Sequence, residues 1–111
     1  MDQISTNEAL TMFAKWEREN QSIAILLSTP SIGMALRNGH FTPFTDDCLV
    51  ISFAGESELR IFLSEAAFWR VKPKEIRKDI SETIPNFEQC VRIHSERPAM
   101  QCFLYASSPS R

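Results

Sequence analysis

Glycine is scarce in this chain, with three residues in 111, and the three stand alone. Neither a G-x-G-x-x-G turn nor a P-loop can be assembled from them, which excludes the usual glycine-rich cradles for nucleotide phosphates. The three cysteines, Cys48, Cys90 and Cys102, include no C-x-x-C pair. An odd number at wide spacing fits reduced thiols buried as small hydrophobes on strands better than a disulfide framework. Long apolar runs are also missing. None exceeds five residues, and a run such as Ile23 to Leu27 falls far short of the roughly 20 residues needed to cross a bilayer as a helix. The first residues, with Asp2 and Gln3, lack the basic-then-apolar order of a secretory signal, so a cytoplasmic setting is expected. A formal charge of -2 argues against wholesale attraction to nucleic acid.

What is present is an ordinary globular composition, 43% apolar and 23% charged, with eight Phe and two Trp to fill a core. The length suits one domain, expected over residues 1–106, with 107–111 as a flexible tail. Ser5-Thr6-Asn7-Glu8 matches a capping box. Ala9, Met12, Phe13 and Trp16 then recur at helical spacing, which predicts a first helix from Ser5 to about Asn20. The run Ile23–Leu27 suits a buried strand or a buried helical turn by periodicity, and the helical turn is preferred. Thr29-Pro30 as a start and Asn38-Gly39 as a left-handed stop predict a short second helix over Ser31–Arg37.

His40–Phe44 and Cys48–Ala54 flank a polar turn and read as a β-hairpin, with Pro43 marking the first strand as an edge or bulged strand. Ser57 opens a third helix, with Leu59, Phe62, Leu63 and Ala66 as its stripe, against a rival reading of Leu59–Leu63 as a strand. A fourth helix is expected over Lys74–Ile84, with strands at Gln89–Ser95 and Met100–Ala106. The sum is an α+β domain with helices packed on one face of a small three- to four-stranded sheet.

The constellations that carry chemistry are thin. His40 and His94 stand outside any H-x-x-x-H or H-E-x-x-H context, so no metal site is expected. Cys90 and His94 would share a strand face through their spacing alone, and Cys102 would join them only if the last two strands pair. Asp46-Asp47 fits a hairpin turn whose side chains cap local backbone. No catalytic centre and no cofactor follow. The concentrated charge is Arg70, Lys72, Lys74, Arg77 and Lys78, five cations within nine residues, bordered by Phe68 and Trp69. Such a segment can grip phosphates or an acidic protein, or be a solvated helix face with pairs such as Glu75 and Lys78.

Ala35-Leu36-Arg37, the stretch from Phe44-Thr45-Asp46-Asp47 to Ser52-Phe53, Ser57, an isoleucine-spaced helix and Val91-Arg92-Ile93, with Trp16 ahead of them, resemble the C-terminal domains of bacterial DNA polymerase III gamma/tau subunits. The small N-terminal domain of the bacterial replication initiator has a similar layout around Leu49 to Leu63. The likeness spans about three quarters of the chain, from Trp16 through Glu96, and consists mostly of hydrophobic patterning. It implies a KH-like two-layer domain that holds replication proteins together, binding a polymerase or helicase subunit through Phe68, Trp69 and the cations from Arg70 to Lys78. The chain has no ATPase segment, so clamp-loading chemistry does not carry over. Two readings stand beside it: a small acidic dimeric chaperone for secreted effectors, which the pI near 5.7 allows, and a nucleic-acid-binding module using the basic segment.

Overall fold

The computed structural model describes residues 1–42, 47–75, 87–97 and 99–107. Its elements, in chain order, are β1 (Asp2–Ile4), α1 (Thr6–Arg18), β2 (Ser22–Ser28), β3 (Gly33–Phe41), β4 (Cys48–Phe53), β5 (Ser57–Phe62), β6 (Ala67–Val71), a single 3-10 turn (Pro73–Glu75), β7 (Gln89–Glu96) and β8 (Ala99–Ser107). The strands make one eight-stranded antiparallel sheet in the order β1-β6-β7-β8-β2-β3-β4-β5. The expected KH-like arrangement of several helices on a small sheet is therefore wrong. Among the described residues α1 is the one α-helix, and the sheet is the body of the protein.

The first helix forms for the local reasons its sequence states. Ser5 accepts from the Glu8 backbone N–H at 3.1 Å, and the Glu8 carboxylate reaches back toward the Ser5 N–H, completing the capping box. Ala9, Phe13 and Trp16 are buried beneath it, and Asn20 at φ 52 ends it in the left-handed region.

Three stretches expected to be helical are strands instead. Ile23–Leu27 is uniformly apolar because β2 lies in the middle of the sheet and has apolar neighbours on both faces: Ile23 and Ile25 join the core on the α1 side, while Ala24 and half-buried Leu26 pack beside Tyr105 and Phe103 on the other. Thr29 does cap backbone, accepting from the N–H groups of Ser31 and Ile32, but what it closes is the β2–β3 turn rather than a helix. The left-handed Asn38 (φ 60) does not stop a helix either; it sits at a β-bulge, where Ile23 pairs with Gly39 and Ile25 with Leu36. The stretch opened by Ser57 is β5, with Leu59 and Ile61 directed to the core and Phe62 left 67% exposed. The strand reading of Leu59–Leu63 describes it, because period two orders these side chains and period 3.6 does not. β1 and β6 lie where the sequence pattern predicts no strand. Most of the expected helix over Lys74–Ile84 lies outside the described residues, as do Pro43, Asp46, Pro98 and 108–111.

The last two strands agree with their sequence patterns, and the expected hairpin is present in its pairing, although its first strand runs over Gly33–Phe41 rather than His40–Phe44 and residues 43–46 lie outside the described residues. β3 pairs with β4 through His40–Ser52 and Phe41–Ile51, and β7 pairs with β8 along its whole length.

The sheet is strongly curled. In a flat sheet β5 would lie about 19 Å from β8, four strand spacings away. Here Leu59 and Ile61 of β5 share a recess with Leu27 of β2 and Met100 of β8, so the sheet wraps its inner face into a half-closed barrel around α1. The filling is aromatic: Phe13 meets Trp16, Phe41 and Phe68 at centroid distances of 5.5, 5.6 and 6.3 Å, and Trp16 stacks on Phe41 at 6.1 Å. The Trp16 indole N–H donates to Gln89 Oε1 at 2.6 Å, which satisfies its one polar atom.

Gly39 allows β3 and β4 to bend together over this core. A Cβ there would stand 2.7 Å from Ile51 Cγ2 and 2.7 Å from the Phe53 ring, whereas at Gly33 the nearest atom would be the Leu27 carbonyl at 4.0 Å. Gly39→Ala is expected to lower stability by about 1–3 kcal/mol through overpacking, and Gly33→Ala to leave it unchanged or slightly raise it. Urea denaturation of the two variants beside the parent chain measures the difference.

Candidate functional site on the outer face of the sheet

Alternation along the strands divides the side chains between the α1 side and an outer face. Register builds that outer face in rows. Trp69 of β6 lies beside Arg92 of β7, Arg92 beside Phe103 of β8, and Phe103 beside Leu26 of β2. On one side runs the row Ala67, His94, Gln101 and Ser28; on the other runs Val71, Cys90, Tyr105 and Ala24.

The middle row is organised by one guanidinium. Arg92 lies 4.7 Å from the Trp69 ring centroid, a cation–π contact, and donates through Nε and Nη2 to Gln101 Oε1 at 3.2 and 2.8 Å. His94 meets the same indole edge-on at 6.4 Å, with its Nδ1 buried and lacking a hydrogen-bond partner. Phe103 stacks on Tyr105 at 6.3 Å, and Phe87 meets Tyr105 edge-on at 5.1 Å. Burial drives the Tyr105 phenol well above its ordinary pKa, and its hydroxyl is buried without a partner. Trp69, Arg92, His94, Gln101 and Phe103 are all half-buried, held by the sheet yet reachable from solvent. Next to them is an open recess of about 480 Å³ lined by Glu65, Ala67, Trp69, His94, Glu96 and Arg97.

The residues singled out by the basic segment do not converge. Phe68 points into the core, 1% exposed, because it alternates with Trp69, which belongs to the outer face. Arg70 is exposed on the α1 side, its Nη2 3.9 Å from Met12 Sδ. Lys72 and Lys74 are exposed around the 3-10 turn, where the Lys72 N–H donates to Glu75 Oε1 at 3.0 Å. The N-terminal ammonium of Met1 also contacts Glu75 and, with that N–H, holds its carboxyl below the usual range. Arg77 and Lys78 lie outside the described residues. In the sequence Arg92 stands out only as part of Val91-Arg92-Ile93, and neither it nor Gln101 or Phe103 is marked there as a site residue. The signal that could have found them was the period-two alternation of β7 and β8, once the two strands are paired.

Cys90 and His94 share the outer face with Arg92 between them, but Cys102, opposite Ile93, faces the core. The thiols do not form a cluster. Burial pushes Cys90 up to about 12 and moves Cys102 upward as well, the opposite of what activates a nucleophile. Among the described residues, no group of three or more His, Cys, Asp or Glu side chains is placed to hold a metal ion. No described helix is long and apolar enough to cross a membrane.

No protein-family model matches the chain, and no curated protein or solved structure matches it either.

The raised thiols set an alkaline limit. A thiol whose folded pKa exceeds its unfolded value binds more protons in the folded state, so its contribution is intact below pH 9 and is lost as pH rises above it. Stability is expected to fall above pH 9 by about 1.4 kcal/mol per pH unit for each buried thiol, with Tyr105 adding to the fall above pH 10. Urea midpoints from pH 7 to pH 10.5 read the loss. In parallel, iodoacetamide at pH 8 should label half-buried Cys48 first and spare Cys90 and Cys102 until urea unfolds the chain.

Proposed function

We propose that this chain is a non-enzymatic protein-interaction domain that receives its partner on the outer face of the sheet, across Trp69, Arg92 and Phe103. The observation that carries the reading is the Arg92 guanidinium laid over Trp69 and fixed by Gln101. Tryptophan, tyrosine and arginine are the residue types that dominate binding energy at protein interfaces, and they do so when held rigid and desolvated by contact. Here the rigidity is in place before any partner arrives, so little side-chain entropy remains to be lost on association. The three unpaired thiols support a reducing, cytoplasmic setting.

The first partner to test is a subunit of a bacterial replicative polymerase or its helicase, which the gamma/tau resemblance names. That resemblance now rests on the residues themselves, since the helix-rich layout it implied is not the layout of the chain. Nucleic acid is the secondary alternative, and the described cations Arg70, Lys72 and Lys74 lie away from the Trp69–Arg92 row.

Trp69→Ala and Arg92→Ala are each expected to weaken capture of a replication subunit by at least about tenfold, corresponding to more than about 1.4 kcal/mol. Replacing Arg70, Lys72 and Lys74 with Ser should leave capture within about threefold at moderate salt. A pull-down followed by titration of the recovered partner reads both. Loss confined to the Lys and Arg triple variant, with a steep salt dependence, would transfer the function to the basic segment.

A further inference from the structure

The two edges of the sheet are finished differently. β1 is three residues long and adjoins the contact between the Met1 ammonium and Glu75. A short strand beside a charge pair is a blunted edge. β5 is six residues long, pairs with β4 in unbroken register from Ser57 to Phe62, and has no described strand on its other side. It contains no Pro, no Lys and no bulge, the usual devices that discourage pairing at an edge.

The charges that β5 does carry are opposite in sign and two residues apart. Glu58 and Arg60 project from the exposed side of the strand with Phe62, and bridge to one another at 2.7 Å. An antiparallel strand of the same sequence can meet this edge in registers centred on different residues. Centred on Arg60, the register sets two guanidinium groups against each other. Centred on Leu59, it sets each Glu58 opposite the second copy's Arg60 and each Arg60 opposite the second copy's Glu58, with Leu59 beside Leu59. Opposite charges directly across an antiparallel pair stabilise it, and like charges destabilise it.

On the core side of the same edge lies a recess of about 170 Å³ whose walls include Leu27, Leu59, Ile61 and Met100. The second copy's Leu59 and Ile61 would meet these apolar walls rather than water.

We propose that β5 is the site at which a second copy of this chain docks, pairing β5 with β5 in antiparallel register about a two-fold axis through Leu59. This surface is separate from the Trp69–Arg92 row on β6 and β7, and the proposal does not depend on what that row binds. The association is isologous, so it closes at two chains and cannot grow into a fibre.

The test is a charge exchange on side chains that are already exposed. Light scattering coupled to size exclusion should give the parent chain a mass twice the 12.7 kDa of one copy. Arg60→Glu alone and Glu58→Arg alone should each run at the mass of a single copy, because each places like charges across the axis. The double exchange, Glu58→Arg with Arg60→Glu, should restore the dimer. The deciding arm mixes the two single variants: one β5 is then wholly acidic and the other wholly basic, and a mixed dimer should form although neither variant pairs with itself. That arm separates pairing between chains from the bridge within a chain, which mixing cannot rebuild. Far-ultraviolet circular dichroism on each variant confirms that the fold is retained. A parent chain that stays single, or a dimer indifferent to these charges, or single variants that fail to recombine, would overturn the proposal.

Discussion

Everything in this fold leans on the aromatic contact between one helix and a curled sheet. Phe13 and Trp16 project from α1 onto Phe41 of β3 and Phe68 of β6. Those two strands are four places apart in the sheet order. A flat sheet could not bring both to one helix, so burying these rings requires the curl. The large apolar area they remove from water stabilises the bend. The curl in turn needs the bulge at Asn38 and the bare Cα of Gly39, where a side chain would collide with Ile51 and Phe53.

Once one face of the sheet is committed to α1, alternation commits the other. Phe68 is spent on the core, and Trp69, its neighbour in the chain, must appear on the outside. The same constraint brings Arg92 and Phe103 out between the buried Val91 and Ile93 of β7 and Cys102 and Leu104 of β8. The outer row is thus a consequence of the core's register, held in place by the most deeply buried strands. Arg92 and Trp69 gain rigidity from that position, which is the property a binding surface needs.

A sheet that curls far but does not close leaves edges. Here the β1 edge is short and lies beside a charge pair, while the β5 edge is longer and carries alternating charge. Sheet edges present unpaired backbone groups, and what is done with them decides whether a chain stays alone. The outer face and the β5 edge are separate surfaces, so two associations can be carried by one small domain without competing.

The sequence by itself determined the local features whose physics is local. The capping box at Ser5 and Glu8, the stripe of Ala9, Phe13 and Trp16, the hairpin on either side of position 45 and the alternation of β7 and β8 all follow from neighbours within a few residues. The class of the fold was decided elsewhere. Ile23–Leu27, Ser31–Arg37 and Leu59–Leu63 carry patterns or caps compatible with a helix, and they become strands because neighbouring strands, distant in the chain or across a turn, supply their backbone hydrogen bonds. Asn38-Gly39 reads alike as a helix stop and as a bulge, since both need a left-handed residue. The candidate site was legible only in Trp69. Arg92, Gln101 and Phe103 meet it through strand pairing between residues distant in the chain, a placement that tertiary structure alone could make.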